Sequence, residues 1–378
     1  MTRIAIIHDF LTKIGGAEKV LMAFHERYPD APVYTLLYDK EGTRQLFEAK
    51  DWQIHASSLN KYPSFLRKRP KLFLPFLSSA IEQFDLSEYD IVISFSNSYA
   101  HGVITRPTTL HITYCYSPMR YVWDWYHQYL EENKISYSLR GLLIRSILKD
   151  LRIWDRVAAN RTDVWIAQSK TAQKRLKKYY RVDSTVIYPP ANVEDIAFSD
   201  DLPDDYCLIV SRLEPYKKID LAIEAFNKLK RPLVIIGEGS DKDRLKAMAG
   251  SNIEFLGWQS DQSIAEYLRN CYALIFPGEE DFGLTPVEAM AAGRPVVAYG
   301  RGGVTESLVE NKTGLFFDNP SADSLIEAIE KLSENYTKFV PRTCRNRAEE
   351  FSKKSFLGQI EEHINSSYTK YKKAYEQD

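Results

Sequence analysis

Cysteines are few in this sequence and lie far apart. The chain of 378 residues has four of them, at Cys115, Cys207, Cys271 and Cys344. This spacing fits neither a disulfide framework nor a zinc site. We therefore expect reduced thiols in a cytoplasmic protein.

Long apolar runs are also missing. The apolar stretch within residues 1–9 is too short for a secretory signal peptide. No other segment reaches the apolar length of a membrane span. Any contact with a membrane is therefore expected to be peripheral, on the inner face of the cell membrane.

A large net charge is absent, but the charges are unevenly distributed. The formal net charge is −1. Residues 1–190 carry 27 Lys and Arg against 19 Asp and Glu, a balance of +8, whereas the remaining residues carry 23 against 32, a balance of −9. The length favours two domains of ordinary size. The charge asymmetry suggests that these two units face different partners.

The beginning of the chain has the pattern of a strand, a glycine-rich turn and a helix. Ile4–Ile7 is a short apolar run, typical of a strand that is buried on both faces of a parallel sheet. A turn at Thr12–Ala17 and a predicted helix at Glu18–Tyr28 complete the opening of a βαβ unit. Further strands of this series are predicted at Ile91–Ser94, Leu110–Tyr114 and Val164–Ala167.

A second series of strands and helices follows Tyr188–Pro190. The pattern predicts a fold of two Rossmann-like, doubly wound α/β domains that face each other across a cleft. The first domain comprises residues 1–187 and a C-terminal helix at 361–378, and the second comprises residues 188–360. The predicted strands of the second domain are Tyr206–Ser211, Pro232–Ile236, Ile253–Leu256, Ala273–Phe276 and Pro295–Tyr299, and its helices include Ile219–Leu229 and Ser263–Asn270.

The segment Phe276–Gly293 carries the strongest motif. It follows a strand and enters a helix, for which the pattern predicts Thr285 as the N-cap and Pro286 as the first residue. Backbone N–H groups of residues 283–285 at such a helix start offer a site for a phosphate. Glu280 and Glu288 stand on either side of this site. Glu288 has an alternative role, because Thr285 and Glu288 also have the spacing of a capping box.

A second motif spans Val210–Asp220. Arg212 and Lys217 flank the loop that leaves a strand, and together they can neutralise a diphosphate. The alternative is two solvated charges near the start of a helix. Two glycine-rich turns, Gly237–Gly239 and Gly300–Gly303, also follow strands, but each is a weak signal by itself.

Taken together, these motifs resemble the donor-binding signature of the family-four retaining glycosyltransferases. The similarity includes the Gly302–Gly303 turn with Glu306, and it extends over nearly the whole chain. Ser94–Val103 and Tyr114–Asp124 resemble a bacterial, mannosyltransferase-like branch that builds surface polysaccharides. The resemblance implies the glycosyltransferase-B fold, with an acceptor-binding first domain and a donor-binding second domain.

The resemblance also implies roles for individual residues. Arg212 and Lys217 bind the donor diphosphate, and Glu280 contacts hydroxyls of the donor sugar near the anomeric carbon. Glu288 binds the ribose. The catalytic candidates are Glu280, Arg212, Lys217 and His101, and the remaining donor-binding candidates are Gly15, Gly16, Gly239, Gly257, Trp258, Phe282, Gly283, Leu284 and Thr285.

Two positions depart from the family pattern. Lys218 stands where the family usually has glycine, and Tyr116 stands where related sequences tend to have histidine. Tyr116 is a poor candidate for a catalytic base, because a tyrosine titrates near pH ~10. His101 and His8 are alternative candidates, although a single histidine more often has a structural role.

The expected substrates are a GDP- or UDP-linked sugar and a glycan or lipid-linked acceptor, with GDP-mannose as the first choice of donor and UDP-glucose or UDP-N-acetylglucosamine behind it. No cofactor, metal or nucleic acid is expected. Asp241 and Asp243 match a metal-binding Asp-x-Asp pattern only in residue type and spacing. A sugar-nucleotide epimerase and a non-catalytic subunit that binds a nucleotide sugar are the alternative functions.

Two segments combine basic with apolar side chains and are candidates for contact with an anionic membrane. The alternative for both is an ordinary core-facing stripe. In Lys61–Leu77 the basic residues are Lys61, Arg67, Lys68, Arg69 and Lys71, beside Tyr62, Phe65, Phe73 and Phe76. In Leu139–Ala158 the apolar stripe comprises Leu139, Leu142, Leu143, Ile147, Leu151 and Trp154.

Overall fold

A computed structural model describes residues 2–44, 52–67 and 69–375, and within them the chain divides into two compact α/β units. Unit 1 comprises residues 1–188 and 357–378, and unit 2 comprises residues 189–356. Lys68, one of the predicted basic residues, lies outside the described residues. No helix in the described ranges has both the length and the apolar character needed to cross a bilayer.

The described residues of unit 1 form a parallel sheet of seven strands. Its strands are β1 (Ile4–Leu11), β2 (Val33–Tyr38), β3 (Ile54–Ala56), β4 (Ile91–Ser96), β5 (Leu110–Cys115), β6 (Val164–Ala167) and β7 (Thr185–Val186). They are arranged in the order β3-β2-β1-β4-β5-β6-β7. Every residue of β4 and β5 is buried, as expected for strands covered on both faces.

The helices of unit 1 surround this sheet. They are α1 (Gly16–His25), α2 (Ser64–Arg67), α3 (Leu77–Ile81), α4 (Tyr126–Glu132), α5 (Leu139–Ala158) and α6 (Lys170–Arg175). Ser138 caps α5, because its hydroxyl accepts a hydrogen bond from the Gly141 N–H at 3.3 Å. The core of the unit joins Ile7 and Val92 of the sheet to Leu148 of α5.

Unit 2 repeats the architecture with six parallel strands. They are β8 (Cys207–Val210), β9 (Leu233–Ile236), β10 (Ile253–Gly257), β11 (Ala273–Phe276), β12 (Val296–Tyr299) and β13 (Gly314–Phe317). The order is β10-β9-β8-β11-β12-β13. The chain therefore reverses its direction across the sheet between β8 and β11, and in open α/β sheets this switch point is where ligands bind.

The helices of unit 2 pack on both faces of its sheet. They are α7 (Ile219–Leu229), α8 (Lys242–Met248), α9 (Asp261–Asn270), α10 (Leu284–Ala291), α11 (Val304–Ser307), α12 (Ala322–Glu334) and α13 (Pro341–Glu349). Phe226 of α7 and Leu325 of α12 pack with Ile209, Ile235 and Ile275 of the sheet in one buried cluster. The last helix, α14 (Lys353–Tyr375), is held to unit 1 by an ion pair in which Arg27 Nη2 lies 2.5 Å from Glu361 Oε1.

The predicted fold class is confirmed, since both units are doubly wound parallel sheets. The predicted strands are present, with bounds that differ by a few residues. Among the strands that the structure describes, four were not predicted: β2, β3, β7 and β13. Of these, β2 has a readable signal in Val33-Tyr-Thr-Leu-Leu-Tyr38, which is rich in β-branched and aromatic residues.

Candidate active site

The candidate residues of unit 2 lie at the switch point of its sheet. Arg212 and Lys217 follow β8, and Glu280 and Gly283 follow β11, the adjacent strand. The carboxyl ends of parallel strands open on the same edge of a sheet, so the two predicted motifs converge there.

The two motifs meet in an ion pair between Lys217 and Glu280. Lys217 is 9% exposed, and the side chain of Glu280 is 24% exposed. Gly278 permits this approach, because a Cβ at that position would lie 2.9 Å from the backbone oxygen of Lys217. The pair is thus built into two closely packed loops, and partial burial strengthens its electrostatic effect relative to a pair in water.

The aromatic ring of Tyr216 lies between the two cations of the first loop. Its hydroxyl is 2.7 Å from Arg212 Nη2, and its ring centre is 5.1 Å from Lys217 Nζ. Sequence reasoning missed Tyr216. An aromatic residue next to Lys217 in the loop was the available signal. The contact between Tyr216 and Arg212 holds the exposed Arg212 guanidinium beside the Lys217–Glu280 pair.

The second loop leads into helix α10. Gly283 is the N-cap of this helix and has a φ of +89°. A helix start leaves its first N–H groups without intrahelical partners, so the amides of Gly283, Leu284 and Thr285 are available at this edge. The positive end of the helix dipole lies at these amides, and it adds to the positive charge of Lys217 and Arg212.

The predicted N-cap of this helix was wrong. The helix begins at Leu284, so Thr285 is its second residue and Pro286 its third. Gly283 replaces Thr285 as the cap because its positive φ turns the chain into the helix one residue earlier. The Thr285 hydroxyl lies 3.5 Å from the backbone oxygen of Val210, and no side-chain hydrogen bond caps the helix. A capping box between Thr285 and Glu288 is therefore not formed, and partly exposed Glu288 lies in the second turn.

Gly302 and Gly303 hold the Glu280 loop from the side of β12. Gly303 donates its N–H to the Glu280 carbonyl oxygen at 2.8 Å. A Cβ on Gly302, whose φ is +77°, would lie 2.3 Å from the same oxygen. These glycines are required because the two backbones touch.

The nucleobase candidates follow β9 and β10. Gly237 donates its N–H to the Gly257 oxygen at 2.8 Å, which ties the two loops together. A Cβ on Gly239 would lie 2.2 Å from the Leu213 oxygen, so this loop also contacts the Arg212 loop. Trp258 extends from the same edge with 64% of its surface exposed.

Phe282 differs from the other donor candidates because its side chain is buried. It is 3% exposed and packs on Phe351, with ring centres 5.5 Å apart. Any contact of Phe282 with a ligand therefore involves its backbone, while the ring anchors the Glu280 loop to the unit core.

In unit 1, the predicted Gly15 and Gly16 form the start of α1. Gly15 is the N-cap, and its nearest neighbour to an added Cβ is the flexible Glu18 carboxylate at 3.1 Å. Tyr116 packs directly on this turn and donates its hydroxyl hydrogen to the Ala17 oxygen at 2.8 Å. Burial raises the Tyr116 pKa well above its usual value, so the tyrosine stays protonated and supports the turn.

His101 is buried in the core of unit 1. It is 2% exposed, its Nδ1 lies 3.0 Å from Ser96 Oγ, and its Nε2 lies 3.4 Å from Asp155 Oδ1 without hydrogen-bond alignment. Burial lowers its pKa to about 3 and that of His8 to about 4. Both imidazoles are neutral near pH ~7.

A buried carboxylate that was not singled out in the sequence organises the loop before His101. Asp9 accepts four backbone hydrogen bonds of 2.6–2.8 Å, from the N–H groups of residues 97–100. This arrangement fixes the turn at the carboxyl end of β4. The signal in the sequence was an acidic residue inside an apolar strand.

The first aspartate of the Asp-x-Asp pattern is paired with an arginine. Arg244 binds both carboxylate oxygens of Asp241, at 2.7 and 2.6 Å. Across residues 2–44, 52–67 and 69–375, no group of three or more His, Cys, Asp or Glu side chains is placed to hold a metal ion.

Comparison with known proteins supplies the family. Residues 194–354 match the model for glycosyl transferases group 1, and residues 14–195 match the model for glycosyltransferase family 4. An uncharacterised glycosyltransferase of Methanocaldococcus jannaschii is 29% identical over 237 residues, which are 60% of this chain and 66% of that protein. A GDP-mannose-dependent alpha-mannosyltransferase of Mycolicibacterium smegmatis is 29% identical over 177 residues, 44% of this chain and 47% of that protein.

These alignments cover only about half to two thirds of the relatives' own length. A solved structure, Anabaena Alr3699/HepE in complex with UDP, matches 97% of this chain and 100% of its own with a TM-score of 0.69 at 19% identity. That likeness concerns the fold. Since the two family models together span residues 14–354, the chain belongs to the family-four glycosyltransferases and has the glycosyltransferase-B fold.

Proposed function

We propose that the chain is a retaining, metal-independent glycosyltransferase. It transfers a hexose from a nucleotide sugar to a glycan or lipid-linked acceptor in surface polysaccharide biosynthesis. The donor we favour is GDP-mannose. The observation that carries the proposal is the partly buried Lys217–Glu280 pair, beside Arg212 and the start of α10 at the switch point of unit 2.

The electrostatics of this edge suit a diphosphate leaving group. When the bond between the sugar and the phosphate breaks, negative charge develops on the departing diphosphate. Lys217, Arg212 and the N–H groups at the start of α10 are fixed in advance around one place, and such preorganised charge is usually the largest catalytic contribution. Two side-chain cations and helix amides supply this stabilisation without a metal ion.

The acidic side chains have separate roles in the proposal. Glu280 accepts hydrogen bonds from hydroxyls of the donor sugar, while its ion pair with Lys217 sets the distance between sugar and diphosphate. Glu288, further along α10, binds the ribose. Gly257 and Trp258 lie beside the nucleobase.

Retention of the anomeric configuration needs no separate protein base. The acceptor hydroxyl attacks the anomeric carbon from the side of the departing phosphate, and that phosphate oxygen takes the hydroxyl proton. Tyr116 keeps its own proton because burial raises its pKa, and His101 is enclosed in the core. We therefore give neither residue a proton-transfer step.

The choice of mannose and GDP rests on likeness to relatives. The similar Mycolicibacterium smegmatis protein is named a GDP-mannose-dependent alpha-mannosyltransferase. The basic balance of residues 1–190 suits an acceptor held at an anionic membrane, and we propose that the protein acts there, on the cytoplasmic face.

Calorimetry with GDP, UDP and ADP tests the site, and NMR with the corresponding sugar nucleotides tests the reaction. We expect GDP to bind most tightly, and donor turnover to release the α-configured sugar of GDP-mannose with its configuration retained. EDTA is expected to leave turnover unchanged. No heat with any nucleotide at millimolar concentration would overturn the proposal.

The same NMR experiment separates the alternatives. Transfer to an added acceptor supports a transferase, whereas conversion of the free sugar without an acceptor indicates an epimerase. Binding without any turnover indicates a non-catalytic subunit.

A further inference from the structure

Exposed apolar side chains are concentrated in two segments of unit 1. Sixteen large apolar side chains are exposed among the described residues, of which four fall within residues 62–76 and six within residues 137–157. A cluster of this kind on a folded protein marks an interaction site more often than chance exposure does.

The first half of α5 presents leucines to solvent. Leu139, Leu142 and Leu143 are 89%, 51% and 62% exposed, whereas Leu148 and Leu151 further along are buried in the core. The helix is nevertheless well formed at its start, because Ser138 caps it. The predicted stripe is therefore core-facing only in its second half, and its first half is left uncovered.

The second segment is tied by a hydrogen bond to the turn that precedes the first. Phe65, Leu72 and Phe76 are 66%, 55% and 60% exposed. The intervening Lys71 donates a hydrogen bond from Nζ to Asn133 Oδ1 at 2.8 Å, at the turn that leads into α5. We name the six exposed side chains the apolar set: Phe65, Leu72, Phe76, Leu139, Leu142 and Leu143.

An open pocket of about 420 Å³ lies between α4 and α5. Its lining includes Lys134, Arg145 and Tyr137, with Glu131 as the only acidic residue. The Arg145 guanidinium is held 4.2 Å above the Tyr137 ring and donates to the Ile135 oxygen at 3.1 Å. Two cations and an exposed phenol in a concave site suit a phosphate group.

We propose that unit 1 docks on an anionic lipid bilayer through the apolar set, and that the pocket of Lys134 and Arg145 receives a lipid phosphate. The apolar side chains enter the interfacial layer, while the basic residues lie at the level of the head groups. A second copy of the chain is a poorer occupant, because residues 61–77 and 134–149, which carry the apolar set, hold nine Lys and Arg and no Asp or Glu, so two such segments would repel.

This inference deepens the membrane contact in the proposed function and rests on it. Lipid binding is measured without donor or acceptor, so it fails or succeeds independently of sugar transfer. The experiment is co-flotation of the full chain with vesicles of phosphatidylcholine alone, or of equal parts phosphatidylcholine and phosphatidylglycerol. We expect binding to the anionic vesicles that falls with added salt, and little binding to the neutral ones.

The apolar set is tested by replacing its helical part. The combined change Leu139→Ser, Leu142→Ser and Leu143→Ser is expected to lower the fraction bound to anionic vesicles about tenfold or more. Leu202→Ser is the matched control, since Leu202 is 93% exposed but belongs to unit 2. Equal melting temperatures by circular dichroism show that the variants remain folded.

The pocket is tested by two variants that each remove one positive charge. Lys134→Asn changes the pocket and suits the backbone there, whose φ is +51°. Arg140→Gln removes a charge from exposed α5 outside the pocket lining. We expect several-fold weaker binding for Lys134→Asn than for Arg140→Gln, and equal effects would overturn the phosphate site.

Two outcomes would overturn the docking surface itself. One is wild-type protein that does not float with anionic vesicles, or a triple serine variant that floats as well as the wild type. The other is a dimer in sedimentation velocity that dissociates in the triple variant, which would make the face a contact between two copies.

Discussion

Lys218 has a backbone conformation that is unfavourable for a residue with a side chain. It follows Lys217 and precedes α7 with φ +55° and ψ +34°, in the left-handed region. This conformation suits glycine, which is the residue that the resemblance to the family leads us to expect at this position.

Lys218→Gly is therefore expected to stabilise the protein by about 0.5–1 kcal/mol, because relief of the steric strain exceeds the entropy cost of glycine. Urea denaturation measures the change. Lys174→Gly, within helix α6, is the opposing control and should destabilise the protein by about 1 kcal/mol. A loss of stability in Lys218→Gly would contradict the strain argument.

Arg212 gives the sharpest test of the diphosphate role at a single residue. Arg212→Ala is expected to lower kcat by about 10²–10³-fold, since one preorganised charge is removed from the leaving group. The side chain is exposed, so the melting temperature should stay unchanged. Arg269→Ala, an exposed arginine on α9 whose side chain is 46% exposed, is the control. Wild-type turnover in Arg212→Ala would remove the argument.

At the scale of elements, the site is an assembly of loops held together by backbone contacts. The loops after β8, β11 and β12 meet at Gly278 and Gly302, where any side chain would collide with a neighbouring carbonyl oxygen. The position of Glu280 is therefore set by loop packing as well as by its own strand.

Gly302→Ala tests this packing. We expect a loss of about 2–4 kcal/mol in the free energy of unfolding, because the new Cβ would lie 2.3 Å from the Glu280 oxygen at a φ of +77°. Nucleotide-sugar binding should weaken as Glu280 shifts, and titration calorimetry measures it.

Gly358→Ala is the matched control, since a Cβ there meets nothing within 4 Å on helix α14. It should stabilise the protein by about 0.5–1 kcal/mol. Equal effects of the two substitutions would exclude a special role for the Gly302 contact.

At the scale of the whole molecule, acid lability follows from buried histidines in unit 1. Burial lowers the pKa of His8 to about 4, of His101 to about 3 and of His111 to about 4. The unfolded chain therefore binds more protons at these positions below pH ~6.5, and the stability they contribute is lost as pH falls toward ~4. Asp155 acts in the opposite direction, because burial raises its pKa to about 7.

The substitution His111→Asn isolates the contribution of one buried histidine to the pH dependence of stability. The free energy of unfolding of this variant should fall less steeply between pH ~6.5 and ~4.5, by up to about 1.4 kcal/mol per pH unit. The slope from urea denaturation is the measurement, so any pH-independent loss from the altered Ser94 hydrogen bond does not matter. His55→Asn, at an exposed histidine, should keep the wild-type slope. An unchanged slope in His111→Asn would contradict the assignment.

Local sequence patterns are enough to predict the α/β class, the second motif at Arg212 and Lys217, and the acidic segment at Glu280. These features are local: apolar runs, turn glycines and short spacings report the backbone on which they stand. The sequence also located the basic and apolar segments of unit 1, but it left open whether they face the core.

Which of these residues meet depends on how the chain folds in three dimensions. The Lys217–Glu280 pair joins loops 63 positions apart. Gly283 instead of Thr285 is the N-cap of α10, because Gly283 has a positive φ that the spacing of residues does not reveal. Burial likewise placed His101 in the core and left Leu139 in solvent. Burial and pairing across loops depend on which strands lie side by side in the sheet. That arrangement is a property of the folded chain and not of residues adjacent in the sequence.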